Sequence, residues 1–390
     1  MNRKAKGFLG ASLGLMLAAT VQAGAPAGQA GADTLAWLAE SQRLQEDPGL
    51  EALNRDWMRR YRLALETHLP VVAARGTPRE LLAAALMLPA REDAGVEAGT
   101  WMAPEAWGWL EAADRADPRD VLVDWALANV CMSQDAPCDR ERLLRSLLQQ
   151  DPDNAEIRLR ALAEAAHRGD AQAAERHWRA ATEATVHRSR FLELGRLLRD
   201  IQREVPLPPL DARLAHAHGV WMGLGRPAEV EDMADAFVIA MLAAVAMPAM
   251  AEVPRRCEAR AIREDAVRRA ECIRVFTLLA ADESTLLGPM VALPRLVELT
   301  EGEPGNAGWR ARLRRIRWIH ESALARMLPS GPDQAPLPKG YADWFIDEGE
   351  PAAMRWLLQA QGIPPEPPQD WQPRDQAMRN PNDAQASPGA

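Results

Sequence analysis

The chain has 390 residues, 47% of them hydrophobic and 26% charged, and a formal net charge of −9. That acidic balance excludes a protein that holds nucleic acid through its overall charge, and the apolar share excludes a chain too polar to bury a core. Plentiful Ala, Leu, Arg and Glu beside five Phe and two Tyr favour helix over strand throughout, so the expected class is all-α.

Arg3, Lys4 and Lys6 precede an uncharged apolar run from Phe8 to Thr20, and Val21-Gln22-Ala23 then supplies small residues. This order reads as a secretory signal, residues 1–23, cut after Ala23 and followed by a linker over 24–32. The run is shorter than the roughly 20 apolar residues of a membrane span, and no Cys near the cut offers a lipid anchor. The mature chain is therefore expected to be periplasmic or secreted. Losing the three cations leaves 43 basic residues against 55 acidic, a net of −12.

From residue 33 to 250 the pattern is a series of amphipathic helices. Thr34–Gln45, Gly49–His68, Pro78–Leu88 and Pro104–Arg115 read as helices, with a longer loop over Arg91–Met102. Val121–Met132 and Arg140–Gln149 follow, joined by the polar turn Ser133–Pro137; the second carries Leu143, Leu144, Leu147 and Leu148 on one stripe. Asp117-Pro118 and Asp151-Pro152 stand 34 residues apart, each closing one helix before the next, and a fixed period is what helical repeats produce. Asp153 and Glu156 have the spacing of a capping box for the next helix, which Gly169 is placed to end.

In the stretch Ala155 to Arg188, Gly169-Asp170 at the turn and Ala174, Trp178 and Ala181 on the partner helix resemble the tetratricopeptide repeat. A looser copy runs from Asp211 through Leu214, Trp221, Gly225 and Phe237, preceded by Pro208-Pro209. Arg158 and Val186 depart from the family pattern, standing where a large apolar residue and a closing Pro are usual. The resemblance implies tandem antiparallel hairpins stacked as an α-solenoid that binds a protein or peptide, and it implies no activity.

Ala236–Ala251 is uncharged and reads as a buried core helix interrupted at Pro248. Residues 251–328 form a C-terminal helical region of Ala266–Ala281, Ser284–Thr300 and Ala307–Met327, the middle one bent by Pro289 and Pro294. Residues 329–363 hold two short helices, Gly340–Asp347 and Pro351–Gln361. Residues 364–390, with seven Pro, bury too little to order themselves, and are expected to be disordered or to lie extended on the domain through Trp371.

Four cysteines in an exported chain suggest disulfides. Three pairings exist; the two local ones, Cys131 with Cys138 and Cys257 with Cys272, are favoured. On one straight helix the second pair would lie about 22 Å apart against a limit of about 7 Å, so it demands a fold-back near Ile262 to Asp265. Neither pair has zinc-finger spacing, and His320-Glu321 lacks the second His that a metalloprotease helix would place at Leu324. Gly223-x-Gly225 follows a helix rather than a strand, and His167, His177 and His187 do not share a helix face. No catalytic residue, metal ligand or cofactor site is assigned.

Two features could contact a partner. Trp101, Trp107 and Trp109 could stack on a sugar or anchor a peptide, although core filling is the plainer reading. Arg310, Arg314 and Arg317, with Arg312, stand on a helix whose apolar stripe is Trp309, Leu313, Ile316, Ala323 and Met327, and such a face could touch an anionic membrane or an acidic partner, although a solvated face is the plainer reading. The expected function is thus an exported helical-repeat scaffold binding a protein or peptide in the cell envelope. A cell-envelope enzyme acting on wall glycan or peptide is the first alternative and a membrane-surface protein the second.

Overall fold

A computed structural model describes residues 32–89, 103–133, 138–245, 250, 252–258, 262, 264–327 and 335–373. Residues 1–31, which hold the expected signal and most of the expected linker, and Trp101 and residues 374–390 lie outside them. The described residues form seventeen helices and no strand, an all-α fold.

Helix starts follow a local rule visible in the sequence: a short side chain with a free oxygen stands before the first turn and accepts its orphan amides. Asp47 accepts from Gly49 and Leu50 at 2.8 and 3.3 Å and separates α1 (Ala32–Glu46) from α2 (Pro48–Ala73), while Thr77 opens α3 (Pro78–Met87). After α4 (Pro104–Asp114) and α5 (Val121–Ser133), Asp139 opens α6 (Arg140–Gln150) through Arg142 N–H at 2.9 Å. Asp170 does the same for α8 (Ala171–Glu183) through Ala173 N–H at 2.8 Å, after Gly169, at φ +73°, has ended α7 (Ala155–His167).

The cap of α7 is not the expected capping box. Asn154, not Asp153, accepts the Glu156 amide at 3.1 Å, and the same oxygen accepts Arg188 N–H at 3.0 Å. Its NH₂ donates to Arg188 O at 2.9 Å and to Asp151 at 3.0 Å. A side-chain amide offers an acceptor oxygen and two N–H donors at once, so Asn154 can make all four hydrogen bonds where two loops meet. Asp153 instead offers its carbonyl to Thr185 and Val186.

The remaining helices are α9 (Phe191–Glu204), α10 (Ala212–Trp221), α11 (Val230–Val245), α12 (Glu252–Arg256), α13 (Ala266–Ala281), α14 (Leu287–Leu299), α15 (Asn306–Met327), α16 (Tyr341–Glu348) and α17 (Glu350–Ala360). From α2 to α8 each helix packs on the next; α8 then packs on α13, and the series continues through α14 and α15 to α17. The chain between α8 and α13 leaves this series and doubles back: α9 lies on α3 and α5, α10 on α1 and α2, and α11 on α9 and α5. One buried core gathers residues of α2 to α6 and α9 to α11, and a second gathers α7, α8 and α12 to α17. The two cores meet within α7, with Ile157 in the first and Leu159 and Leu162 in the second, and within α16, with Ile346 in the first and Tyr341 in the second.

The uncharged run Ala236–Ala251 is not a fully buried helix. Val238 and Leu242 are buried, but Ala243 and Ala244 are exposed, because α11 meets its neighbours along one face only. Pro294 lies inside α14, whereas Pro289 falls in its first turn, where the missing N–H is not needed.

Both local disulfides form, Cys131–Cys138 and Cys257–Cys272, with Cα separations of 5.8 and 5.7 Å. The fold-back required of the second pair is the turn in which Ile262 O accepts Asp265 N–H at 3.1 Å, just before α13. The two bonds fit an oxidising, non-cytosolic compartment.

Helix α16 is held to α9 by charge. Arg199 donates to both oxygens of Asp347 at 2.8 Å and to Asp343 at 3.2 Å, and Arg203 donates to Asp343 at 2.7 Å. The Arg199 hydrogen bonds hold the Asp347 carboxyl below its usual range. Asp235, facing the same cluster from α11, is pushed up to about 6 by burial first and then by Asp343 and Asp232, with Arg203 and Arg199 opposing. A carboxyl whose pKa is higher folded than unfolded favours the fold when protonated, and this contribution is lost as pH rises through about 6. Asp235→Asn should therefore stabilise the protein at pH 7 by about 1 kcal/mol after allowance for solvent screening, with the gain gone near pH 4. Thermal melts of both proteins across that range check it; a constant difference would contradict the assignment.

Candidate functional site

The densest group of buried polar side chains lies where the two cores meet. Three pieces of chain build it: the first turns of α7, the connection from α8 to α9, and the connection from α13 to α14.

Glu156 and Arg160 sit one turn apart on α7, each 1% exposed, and form an ion pair from Arg160 Nε to Glu156 Oε1. Trp125 of α5 donates its indole N–H to the same oxygen at 3.3 Å, and the Arg160 guanidinium lies 5.4 Å from the Trp125 ring centroid. Glu156 Oε2 is buried with no hydrogen-bond partner.

Across from this pair, His187 Nδ1 lies 2.8 Å from Asp282 Oδ2, joining residues 95 positions apart. Asp282 also accepts Ser189 N–H at 3.1 Å and Ser284 N–H at 3.0 Å. Burial pushes the Asp282 carboxyl up, but the hydrogen bonds from His187 and Ser284 outweigh it and hold it below its usual range. The two hydroxyls, Ser189 Oγ and Ser284 Oγ, are 2.8 Å apart. Next to them Gly349, at φ +94°, lets α17 begin against this loop: an added Cβ would overlap Glu283 O. Glu350 Oε2 then accepts Leu286 N–H at 2.8 Å, capping α14 from another helix.

The carboxylate orienting the imidazole resembles a catalytic pair, yet the serines bond to each other and to Asp282 rather than standing as a nucleophile on His187. The cavity enclosed by these groups is about 20 Å³. That is room for about one water and not for a sugar ring or a peptide bond with its flanks. As it stands the group is a polar weld between two cores. Among the described residues no three His, Cys, Asp or Glu side chains gather as metal ligands, and no helix is long and apolar enough to cross a membrane.

The residues singled out in the sequence lie elsewhere. Trp107 and Trp109 on α4 are half-buried against the first core, where they fill space, and Trp101 is outside the described residues. The arginine face of α15 is not the open surface expected. Arg317 is 7% exposed because it stands one turn after Leu313, on the buried stripe. Arg310 donates to Asn306 Oδ1 at 2.6 Å, Arg312 to Ala280 O at 3.0 Å, and Arg314 to carbonyls of the segment after α17.

Sequence reasoning passed over the weld. His187 and Asp282 belong to loops far apart in the chain, and only contact between α8 and α13 brings them together. Glu156 and Arg160 did carry a signal: an opposite-charge pair at i, i+4 within an otherwise Ala- and Leu-rich helix. Comparison of the chain with protein-family models, with curated proteins and with solved structures finds no match.

Proposed function

We propose that this protein is an exported helical-repeat scaffold that holds a protein or peptide partner in the cell envelope. The observation that supports the reading is the serial packing of α2 to α8 and then α13, α14, α15 and α17, in which each helix lies against the next while α9 to α11 lie back over α2, α3 and α5. Two disulfides staple the series in an oxidising compartment, and the buried polar group between the cores leaves space for a water rather than a substrate. The 34-residue spacing of Asp117-Pro118 and Asp151-Pro152 places both marks at connections between successive hairpins, α4 to α5 and α6 to α7, as a tetratricopeptide-like register would.

Native size-exclusion of envelope extract, with the chain detected by antibody, tests this. Elution well above the position of the purified chain is expected. Elution of the whole population at the purified position would oppose it.

A further inference from the structure

The segment that follows α17 lies across α15 in a manner that points to a recognition surface. Residues 364–373 contain five Pro, one Trp and one Glu. Their contacts with α15 are made largely through backbone carbonyls. Trp318 Nε1 donates to Pro364 O at 2.9 Å. Arg314 Nη2 donates to the carbonyls of Pro368, of Gln369 at 2.9 Å and of Trp371 at 3.0 Å, capping the turn closed by Trp371 N–H on Pro368 O at 3.1 Å. Two side chains add specificity. The Trp371 ring meets Trp318 edge to face, centroids 5.4 Å apart, beneath the Arg314 guanidinium at 5.8 Å. Glu366 pairs with Arg315 at 2.8 Å.

Proline-rich peptides are recognised in a related way: an aromatic donor and a guanidinium read backbone carbonyls, and proline has already fixed much of the backbone. The strap is also lightly held. Pro364, Glu366, Pro368, Gln369 and Asp370 are exposed, and an exposed ion pair contributes little.

We propose that the face of α15 formed by Arg314, Arg315 and Trp318 is a binding surface for proline-rich peptides that carry an acidic residue and a turn closed by a Trp. Residues 364–373 are its resident occupant, which a partner's segment displaces. The proposal rests on the scaffold reading and adds the chemistry of the partner and a self-masking contact to it. A strap tethered directly after α17 is present at an effective concentration of about 1 mM or more. It therefore weakens, without abolishing, binding of a free peptide in trans, and a partner that makes further contacts displaces it.

The test is fluorescence anisotropy of a labelled peptide of residues 364–373 against the full chain and its variants. Trp371→Ala should bind the free peptide at least about tenfold more tightly than the unaltered chain, because the competitor has lost its anchor. Adding Arg314→Glu to that variant should abolish the gain. Glu366→Lys, which sets like charge against Arg315, should unmask the surface more weakly and serves if Trp371→Ala does not fold. Equal, absent or Arg314-independent binding in the unmasked variants would overturn the proposal. So would an unmasked variant that binds phosphatidylglycerol vesicles and not the peptide, since the arginines would then serve a membrane. None of these outcomes alters the native size of the unmodified chain in envelope extract, so the two readings fail separately.

Discussion

Arg160→Ala is expected to destabilise the protein by about 3–5 kcal/mol, because its ion pair with Glu156 is the most deeply buried among the described residues. Glu156 and Arg160 are each 1% exposed, so neither can turn to water when its partner is removed. Without Arg160 the carboxylate keeps only the Trp125 indole N–H at 3.3 Å, and its second oxygen already lacks a partner. The pair itself is worth far less than this loss, because burying both charges has already cost about what their attraction returns. Glu156→Leu with Arg160→Met should therefore fall within about 2 kcal/mol of the unaltered protein, the residual cost being the stranded Trp125 donor. Urea unfolding of the two single variants and the double variant measures the coupling directly. Strictly additive losses would show that the pair does not hold the junction.

Trp178→Ala is expected to cost a similar amount, about 3–5 kcal/mol, by emptying the centre of the second core. The ring is fully buried, donates its N–H to Glu271 Oε2 at 2.8 Å, and lies under the guanidinium groups of Arg256 and Arg268 at 5.7 and 5.5 Å. Both arginines also reach Glu175, at 2.8 and 3.1 Å, which ties α8 to α12 and α13. Burial raises the Glu175 carboxyl, and the two arginines outweigh it to bring it below its usual range. Trp178→Phe keeps most of the volume and the π face and should cost about 1 kcal/mol for the lost hydrogen bond plus a small cavity. Thermal unfolding separates the two variants; equal losses would mean that the indole N–H, and not the packing, carries the residue.

The helices were readable because their signals are local. Asp47, Thr77, Asp139, Asp170 and Asp265 each announce a helix start, and the helices they open begin within about two residues of their expected starts, whereas α9 and α12, which no such residue opens, were not expected, and α11 begins six residues before the uncharged run that marked it. The disulfides were readable for the same reason, since both close short loops. What could not be read was whatever depends on tertiary return. Nothing near Phe191 says that α9 will lie on α3 and α5, and nothing near His187 points to Asp282. Arg317 shows the same limit on a single helix. Its charge places it on the solvent side, yet its register places it with Leu313, and register decided. Residues 364–373 lie on the domain with Trp371 received by Arg314 and Trp318, while residues 374–390 lie outside the described residues.

The central claim, an exported scaffold stapled by disulfides and holding a protein partner, is tested most directly by affinity capture. The mature chain, immobilised first oxidised and then with both disulfides reduced, is exposed to envelope extract and the retained proteins are quantified by mass spectrometry. Closing the loop between Cys257 and Cys272 is worth about 3 kcal/mol on chain entropy, so reduction should loosen the array that presents the surface. The account predicts one protein retained in stoichiometric amount by the oxidised chain and released on reduction. Retention of no protein by the oxidised chain would contradict it.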